Sequence, residues 1–246
     1  MQKDTDKYIQ GIDTILWINL DRCEARRKSM EELLSHFKIP AVRLSASDGK
    51  CENVTQHFKF QIGEKSSKAQ YGCLLSHLRA IKLFYDSENE NALVLEDDAC
   101  LDFVPYWRKS IKQIIEEAPK DWEIIQLSFI SMRDLTEDYT RWALDSRGYW
   151  NFNLYGTLAY VINRKGAEKI LNIRKEDKWY LDNQFQHVAD EVLYGLTQTY
   201  TYRYPMFIWP EVSETTIGEG KNYTDYQDGV RRKFVAMYGK MEKENA

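Results

Sequence analysis

The sequence has 246 residues, of which 43% are hydrophobic and 29% charged, and its formal net charge is −4. This composition is typical of a folded globular protein and excludes a disordered chain, and the net negative charge argues against a general nucleic-acid-binding protein. No apolar run approaches the roughly 20 residues that span a bilayer, and the polar N-terminus has no apolar signal core. We therefore expect a cytoplasmic protein, at most peripheral to a membrane. A lumenal or larger multidomain context stays open, as does the oligomeric state.

The first elements predict a β-α-β unit. The bulky apolar run Thr14–Leu20 predicts a strand, and apolar residues at helical spacing between 30 and 37 predict a helix. Asp21 and Glu24 resemble a capping box at the start of this helix, and a second strand is predicted over residues 41–44. Such a unit opens many nucleotide-binding α/β domains. No GxGxxG motif follows the first strand, which argues against the usual dinucleotide-binding fold.

The rest of the chain alternates strand and helix patterns, which favours an α/β fold with a mostly parallel central sheet. Residues 131–153 are dense in charge and aromatic rings without a clean period, and we interpret them as a long surface excursion. No internal repeat or linker divides the chain, so a single domain is the simplest organisation. Helices are predicted over residues 67–85, 105–118, 164–173, the second half of 182–196 and, as an amphipathic C-terminal helix, 225–241; strands are predicted over 92–95, 122–127, 156–162 and 200–208.

Three consecutive carboxylates, Glu96, Asp97 and Asp98, follow the apolar run Ala92–Leu95. The apolar run predicts a buried strand, and three acids at its end repel one another unless a cation compensates them. Hard divalent cations such as Mn²⁺ or Mg²⁺ take carboxylate oxygens, and open α/β sheets bind ligands at the carboxyl ends of their strands. The pattern therefore favours a metal site able to hold the phosphates of a nucleotide. A solvated acidic turn is the alternative.

The cysteines of the chain argue against a zinc ribbon. They are Cys23, Cys51, Cys73 and Cys100, and no two of them form a CxxC pair. Cys73 and Cys100 lie beside apolar residues, which predicts buried thiols. In the absence of a signal peptide we expect all four to be reduced.

Several segments occur together in a characteristic order: residues 18–22 with 26–27, 46–49, 72–77, 93–99, and 156–162 with 166–167. This ordered set resembles glycosyltransferase family 25, which includes bacterial lipopolysaccharide glycosyltransferases and procollagen galactosyltransferases. The resemblance covers about residues 14–217, which we take as the core of one domain over residues 1–246. It implies a GT-A-like, Rossmann-like α/β fold.

The resemblance also implies a reaction: metal-dependent transfer of a sugar, galactose or a related hexose, from a UDP-sugar to a hydroxyl acceptor, with inversion. The acceptor would be a glycan or a glycosylated or hydroxylated protein. One alternative is a non-catalytic carbohydrate- or nucleotide-binding domain of the same fold. Another is a nucleotidyltransferase, although Leu20–Cys23 lacks the glycine of its usual phosphate loop. The family's glutamine near Pro210 is missing here, which leaves an inactive relative open.

Family positions assign roles to individual residues. Glu96 and Asp98 would bind manganese (Mn²⁺) or Mg²⁺. Asp190, with Glu191 as second choice, would be the base that deprotonates the acceptor hydroxyl, whereas the alternative for both is stabilising charge at a helix N-terminus. For Arg27 and its neighbour Arg26 the alternative is an exposed basic helix. The donor would contact Asn19, Asp21, Arg22, Arg27, Asp48, Gly49, Ser76, His77, Glu96, Asp97, Asn153 and Gly156.

Overall fold

The computed structural model of the protein describes residues 5–130, 149–150, 155–210, 228–236 and 238. Within these residues ten strands form two sheets. The strands are β1 (Thr14–Asn19), β2 (Ala41–Ser45), β3 (Phe58–Phe60), β4 (Asn91–Glu96), β5 (Ile124–Gln126), β6 (Tyr149–Trp150), β7 (Ala159–Asn163), β8 (Arg174–Lys175), β9 (Lys178–Leu181) and β10 (Thr199–Tyr202).

The central sheet has seven strands in the order β2-β1-β4-β7-β5-β10-β6. Strands β2, β1, β4, β5 and β10 run in one direction, and β7 and β6 run antiparallel to their neighbours. A small second sheet has the order β3-β9-β8. The predicted α/β class with a mostly parallel central sheet is confirmed. How the chain divides into domains stays a prediction.

Serine and asparagine caps explain where three of the helices begin. Ser67 and Ser110 each accept a hydrogen bond from the backbone of a glutamine three residues on, whose side chain bonds back to the cap. Asn163 caps the next helix by accepting from the Gly166 amide. The helices are α1 (Glu24–Leu34), α2 (Lys68–Tyr85), α3 (Ile111–Glu117), α4 (Arg164–Leu171) and α5 (Ala189–Leu196), and residues 228–236 are also helical.

The core lies on both faces of the central sheet. In β4, Leu93 and Leu95 belong to one cluster of buried residues, whereas Ala92 and Val94 belong to the other, and none of the four is exposed. A strand buried on both faces is expected to be continuously apolar, as this one is. The buried strand predicted before the three acids is therefore confirmed. Helix α2 packs on one face of the sheet, while α1, α3 and residues 228–236 cover the other.

The opening β-α-β unit is confirmed, since β1 pairs with β2 in parallel across α1. The predicted capping box is wrong. Helix α1 begins at Glu24 with Cys23 as its N-cap and no side-chain cap, so Asp21 lies too far from the helix to accept from its first amides. The Asp21 carboxylate instead accepts hydrogen bonds from Arg43 and Ser45 at the end of β2.

Other element bounds differ from the prediction. The helix expected over 105–118 is a 3-10 turn, Val104–Tyr106, followed by α3, because Ser110 caps a new helix. The strand expected over 200–208 ends at Tyr202, and the following segment pairs with other partners, Met206 with Leu127 and Ile208 with Cys100. The strand expected over 156–162 begins at Ala159. Apart from 149–150, the excursion at 131–153 lies outside the described residues, as do both ends of the predicted C-terminal helix.

The longest of the helices α1–α5 is α2, with 18 residues. No described helix combines the length and apolarity needed to cross a bilayer.

Candidate active site at the ends of β1 and β4

The three acids lie where two neighbouring parallel strands end. Strand β1 pairs with β4, and Ile18 lies opposite Glu96 in this register. Strand β4 ends at Glu96, and Asp97 and Asp98 form the turn that follows. Asn19, the last residue of β1, is therefore adjacent to this turn. The arrangement matches the expectation that an open α/β sheet places its functional side chains at the carboxyl ends of strands.

Asp97 is held by protein groups on both of its oxygens. Asn19 donates from Nδ2 to Asp97 Oδ2 at 2.7 Å, and Arg26 donates to Oδ1 at 2.8 Å. Asn19 is fixed in turn by Arg43, which donates to its Oδ1. Because both Asp97 oxygens are already occupied, the carboxylate is suited to hold Arg26 in place beside the turn.

Asp98 carries an uncompensated carboxylate oxygen. Its side chain is 17% exposed and Oδ2 lies 3.5 Å from Arg26, but Oδ1 is buried and has no hydrogen-bond partner among the described residues. Burial, and then the negative charge of Glu96, raise the pKa of Asp98 to about 7. A buried carboxylate without a donor is costly, and a cation would remove that cost.

Glu96 is held in its ionised form by a buried polar network. Its Oε1 accepts a hydrogen bond from Thr157 at 2.6 Å and lies 3.3 Å from His77 Nε2. Burial raises the pKa of Glu96, but the contacts with His77 and Thr157 outweigh it, so the pKa is lowered. The His77 ring is 1% exposed, and its Nδ1 lies 3.1 Å from the Tyr160 hydroxyl. His77 therefore orients Glu96. A contact with the donor was predicted for His77, and its ring is enclosed by the protein.

The carboxylates of Glu96 and Asp98 fit a hard divalent cation. Among the described residues, both contacts of Glu96 are made to Oε1, so Oε2 is left for a metal ion. Asp98 Oδ1 has no hydrogen-bond partner among the same residues. Two carboxylates at a strand end are the oxygen ligands that Mn²⁺ and Mg²⁺ favour.

We expect Mn²⁺ to raise the melting temperature more at about pH 8 than at about pH 6. The pKa of Asp98 is raised above its ordinary value, so its contribution to the free energy of unfolding falls as pH rises towards about 7 and is constant beyond. A cation binds the ionised form and restores that stability. Thermal unfolding with and without Mn²⁺ measures the effect, and an equal shift at both pH values, or an equal dependence in Asp98→Asn, would contradict it.

Asp190 connects the start of α5 to a glycine turn. Its Oδ2 accepts from the Gly156 amide at 2.8 Å and its Oδ1 from the Glu191 amide at 3.0 Å. Gly156 has φ +101°, a left-handed conformation that favours glycine. Burial raises the pKa of Asp190, and Glu191 accepts from the Gln186 amide at 2.9 Å. Asp190 thus holds the turn, and the base role of these two acids stays a prediction.

The thiol of Cys73 lies amid the carboxylates of both regions. Burial first, and then the charges of Glu96, Asp190 and Asp98, raise its pKa well above the ordinary range. Cys73 lies on α2, whereas the carboxylates belong to the end of β4 and to α5. Gly156, which contacts Asp190, and Thr157, which contacts Glu96, are consecutive residues, so the start of α5 and the end of β4 lie close together. The predicted metal ligands and the predicted base are brought together.

The loop after β2 is fixed against α2 and against the turn that precedes α1. Arg22 and Asp48 form an ion pair of 2.6 Å. Ser76 accepts a hydrogen bond from the Ser47 amide at 2.9 Å and is buried. A Cβ at Gly49 would lie 1.9 Å from the Lys68 carbonyl oxygen, so only glycine fits there. Ser76 and Gly49 thus place the loop that carries Asp48, and contact with a donor stays a prediction.

We expect Gly72→Ala to lower the free energy of unfolding by about 1–3 kcal/mol. A Cβ at Gly72 would lie 2.5 Å from the Ser47 carbonyl oxygen, so the loop or α2 must shift. Urea denaturation measures the change. Gly229→Ala is the control because its Cβ would meet no atom of the described residues within 4 Å. Equal stability of the two variants would contradict the close packing of this loop on α2.

The two neighbouring arginines of α1 have different environments. Arg27 pairs with Glu31 one turn further along the exposed surface of the helix, at 2.8 Å, so it is not brought to the acids. Arg26 is the arginine that reaches Asp97 and Asp98, although only Arg27 was among the predicted donor residues. Both lie in the first turn of α1, and no local sequence signal distinguishes them. Asp21 is exposed beside Arg43, and Asn153 lies outside the described residues.

A cavity of about 520 Å³ lies at the opposite end of β4. Asn91, at the start of that strand, lines it together with Asn163 and Arg164. The Arg164 guanidinium donates to backbone carbonyls that follow α2, and Asn163 caps α4, so these groups have structural partners. The cavity is thus separate from the acidic site.

Comparison with known sequences identifies the protein family of this chain. Residues 12–185 match glycosyltransferase family 25 (LPS biosynthesis protein), and the chain belongs to this family. Procollagen galactosyltransferase 1 of Danio rerio is 29% identical over 185 residues, which cover 70% of this chain and 30% of that protein. A glycosyltransferase 25 family member of Aedes aegypti is 30% identical over 186 residues, covering 68% and 29%. Procollagen galactosyltransferase 2 of Homo sapiens is 29% identical over 180 residues, covering 65% and 28%.

The chain therefore spans less than a third of the length of these relatives. Among solved structures, a glycosyltransferase involved in glycosylation of the major capsid of PBCV-1 aligns with 88% of this chain and 98% of its own. The identity is 12% and the TM-score 0.38, so this alignment carries no argument about the site.

Proposed function

We propose that the protein transfers a hexose, galactose or a related sugar, from a UDP-sugar to a hydroxyl group, with inversion and with Mn²⁺ or Mg²⁺ as cofactor. The observation that carries the proposal is the buried Asp98 Oδ1 beside Glu96 at the end of β4, which has no hydrogen-bond partner among the described residues, in a chain of glycosyltransferase family 25. The relatives named procollagen galactosyltransferases support galactose as the sugar. A glycan or a hydroxylated protein is the proposed acceptor. Cytoplasmic location and a part in lipopolysaccharide synthesis stay predictions.

The leaving group needs positive charge, and the site offers two sources of it. A cation held by Glu96 and Asp98 would neutralise the negative charge that develops on the departing diphosphate. Arg26 contributes a permanent positive charge. Asp97 holds its guanidinium beside the same turn. An arginine can pair bidentately with phosphate oxygens, so Arg26 is suited to contact the diphosphate.

The acceptor needs a base. In the proposed step the acceptor oxygen attacks the anomeric carbon, the bond from that carbon to the diphosphate breaks, and the acceptor proton passes to Asp190. The raised pKa of the Asp190 carboxyl favours proton uptake. Ile130 and Tyr155, which bound the predicted excursion, are hydrogen-bonded next to Gly156 and hence near Asp190. This supports an acceptor site on that side.

The direct test is product analysis with a panel of UDP-sugars, with Mn²⁺ or with EDTA. A glycosyltransferase is expected to release UDP from one sugar donor in the presence of Mn²⁺, and faster with an acceptor. A nucleotidyltransferase would instead form UTP and a sugar phosphate when pyrophosphate is supplied. A binding domain would bind the nucleotide or sugar without turnover. Absence of both metal-dependent UDP release and metal-dependent UDP binding would overturn the proposal.

A further inference from the structure

Three side chains of different chemistry converge beside the proposed metal site. Cys73 Sγ, a ring nitrogen of His77 and a carboxylate oxygen of Glu96 all lie within 4.8 Å of one another. Cys73 and His77 are four residues apart on α2 and so share one face of that helix. Glu96 reaches them from the end of β4. We propose that these residues form a second metal site, which binds a thiophilic cation such as Zn²⁺.

The ligand set discriminates between metals. Zn²⁺ favours thiolate and imidazole ligands, whereas Mn²⁺ and Mg²⁺ favour oxygen. Bond lengths of about 2.0–2.3 Å in a tetrahedral zinc site place ligand atoms about 3.5 Å apart, so only small side-chain rotations are needed. Three protein ligands leave the fourth position for water, which is the arrangement of an exchangeable zinc site.

Two of the proposed ligands, His77 and Glu96, already have hydrogen-bond partners of the kind that orient the ligands of a zinc site. His77 Nδ1 is hydrogen-bonded to the Tyr160 hydroxyl, which leaves Nε2 towards Glu96. Thr157 donates a hydrogen bond to Glu96. Partners of this kind orient metal ligands. Cys73 and Glu96 are partly exposed.

Binding of Zn²⁺ changes the protonation state of Cys73. The Cys73 thiol loses its proton to solvent and becomes the thiolate ligand, while Glu96 binds as the carboxylate and His77 as the neutral ring. Since Glu96 is also a proposed ligand of Mn²⁺, Zn²⁺ at this site would withdraw it. Zn²⁺ is therefore expected to inhibit sugar transfer, a consequence that rests on the proposed function, whereas the binding itself does not.

Co²⁺ is the spectroscopic probe for the test, because a cobalt–thiolate bond gives a charge-transfer absorption that oxygen ligands do not. The full chain, reduced with a non-thiol reagent, is titrated with Co²⁺ and then with Zn²⁺. We expect a thiolate band at one equivalent that Zn²⁺ displaces. In Cys73→Ser the band should disappear and the affinity should fall by about 100-fold or more. Cys51→Ser, which replaces an exposed cysteine, should keep the band.

A second measurement needs no variant. Zn²⁺ should slow alkylation of Cys73 in the wild-type protein and leave alkylation of Cys51 unchanged, as read by peptide mass spectrometry. Absence of the thiolate band in the wild-type protein, its persistence in Cys73→Ser, or equal alkylation with and without Zn²⁺ would overturn the proposal. A band and protection in a protein without UDP release would support this zinc site while overturning the proposed sugar transfer.

Discussion

Asp98→Asn is expected to reduce metal-dependent UDP release by at least about 100-fold, since it removes a proposed metal ligand. The substitution keeps the size of the side chain but removes the negative charge that the buried Oδ1 carries. Steady-state rates against Mn²⁺ concentration measure the loss, and the apparent metal affinity should fall with the rate.

The same substitution should not destabilise the protein. Because Asp98 Oδ1 has no hydrogen-bond partner in the part of the chain that the structure describes and the pKa of Asp98 is raised, the neutral amide is expected to give an equal or higher melting temperature at about pH 8. Asp86→Asn, which changes an exposed acid paired with Lys82 at the end of α2, is the matched control and should retain activity. Full Mn²⁺-dependent activity in Asp98→Asn would exclude Asp98 as a metal ligand.

Arg26→Gln is expected to lower kcat/KM for the donor by about 100-fold, because it removes the guanidinium that Asp97 aligns beside the metal ligands. It should also shift the pH profile. The charge of Arg26 lowers the pKa of Asp98, so its removal raises that pKa above about 7 and moves the acid limb of the activity profile to higher pH.

Arg27→Gln provides the control from the next position in the chain. Arg27 pairs with Glu31 on the exposed surface of α1, so the donor kcat/KM should stay within about twofold of wild type and the pH profile should not move. Equal losses in both variants would indicate a general effect of charge on α1. In that case the specific contact of Arg26 with Asp97 and Asp98 would not explain the activity.

Local patterns predict much of this fold. Four apolar residues in succession predict β4 because a strand buried on both faces needs no polar alternation. Ser67, followed three residues later by Gln70, lies at the start of α2 as a capping box. The position of Glu96, Asp97 and Asp98 follows once β4 is known, since a parallel strand directs its carboxyl end to the ligand-binding edge.

Contacts between distant segments could not be predicted in this way. Arg26 contacts Asp97, which is 71 residues away in the chain, whereas Arg27 pairs with Glu31 on its own helix. The enclosure of His77 depends on Tyr160, which is 83 residues away in the chain. Because neither contact leaves a periodic signal in the sequence, only the folded arrangement distinguishes a residue that orients Glu96 from one that meets the donor.

The most direct test of the central claim is calorimetric binding of UDP to the wild-type protein and to Asp98→Asn, with Mn²⁺ and with EDTA. If Glu96 and Asp98 hold a cation that binds the diphosphate, UDP should bind the wild-type protein at least about tenfold more tightly with Mn²⁺, a coupling of about 1.4 kcal/mol. Asp98→Asn should show no such coupling. Equal UDP affinity with Mn²⁺ and with EDTA, or coupling that persists in Asp98→Asn, would contradict the account.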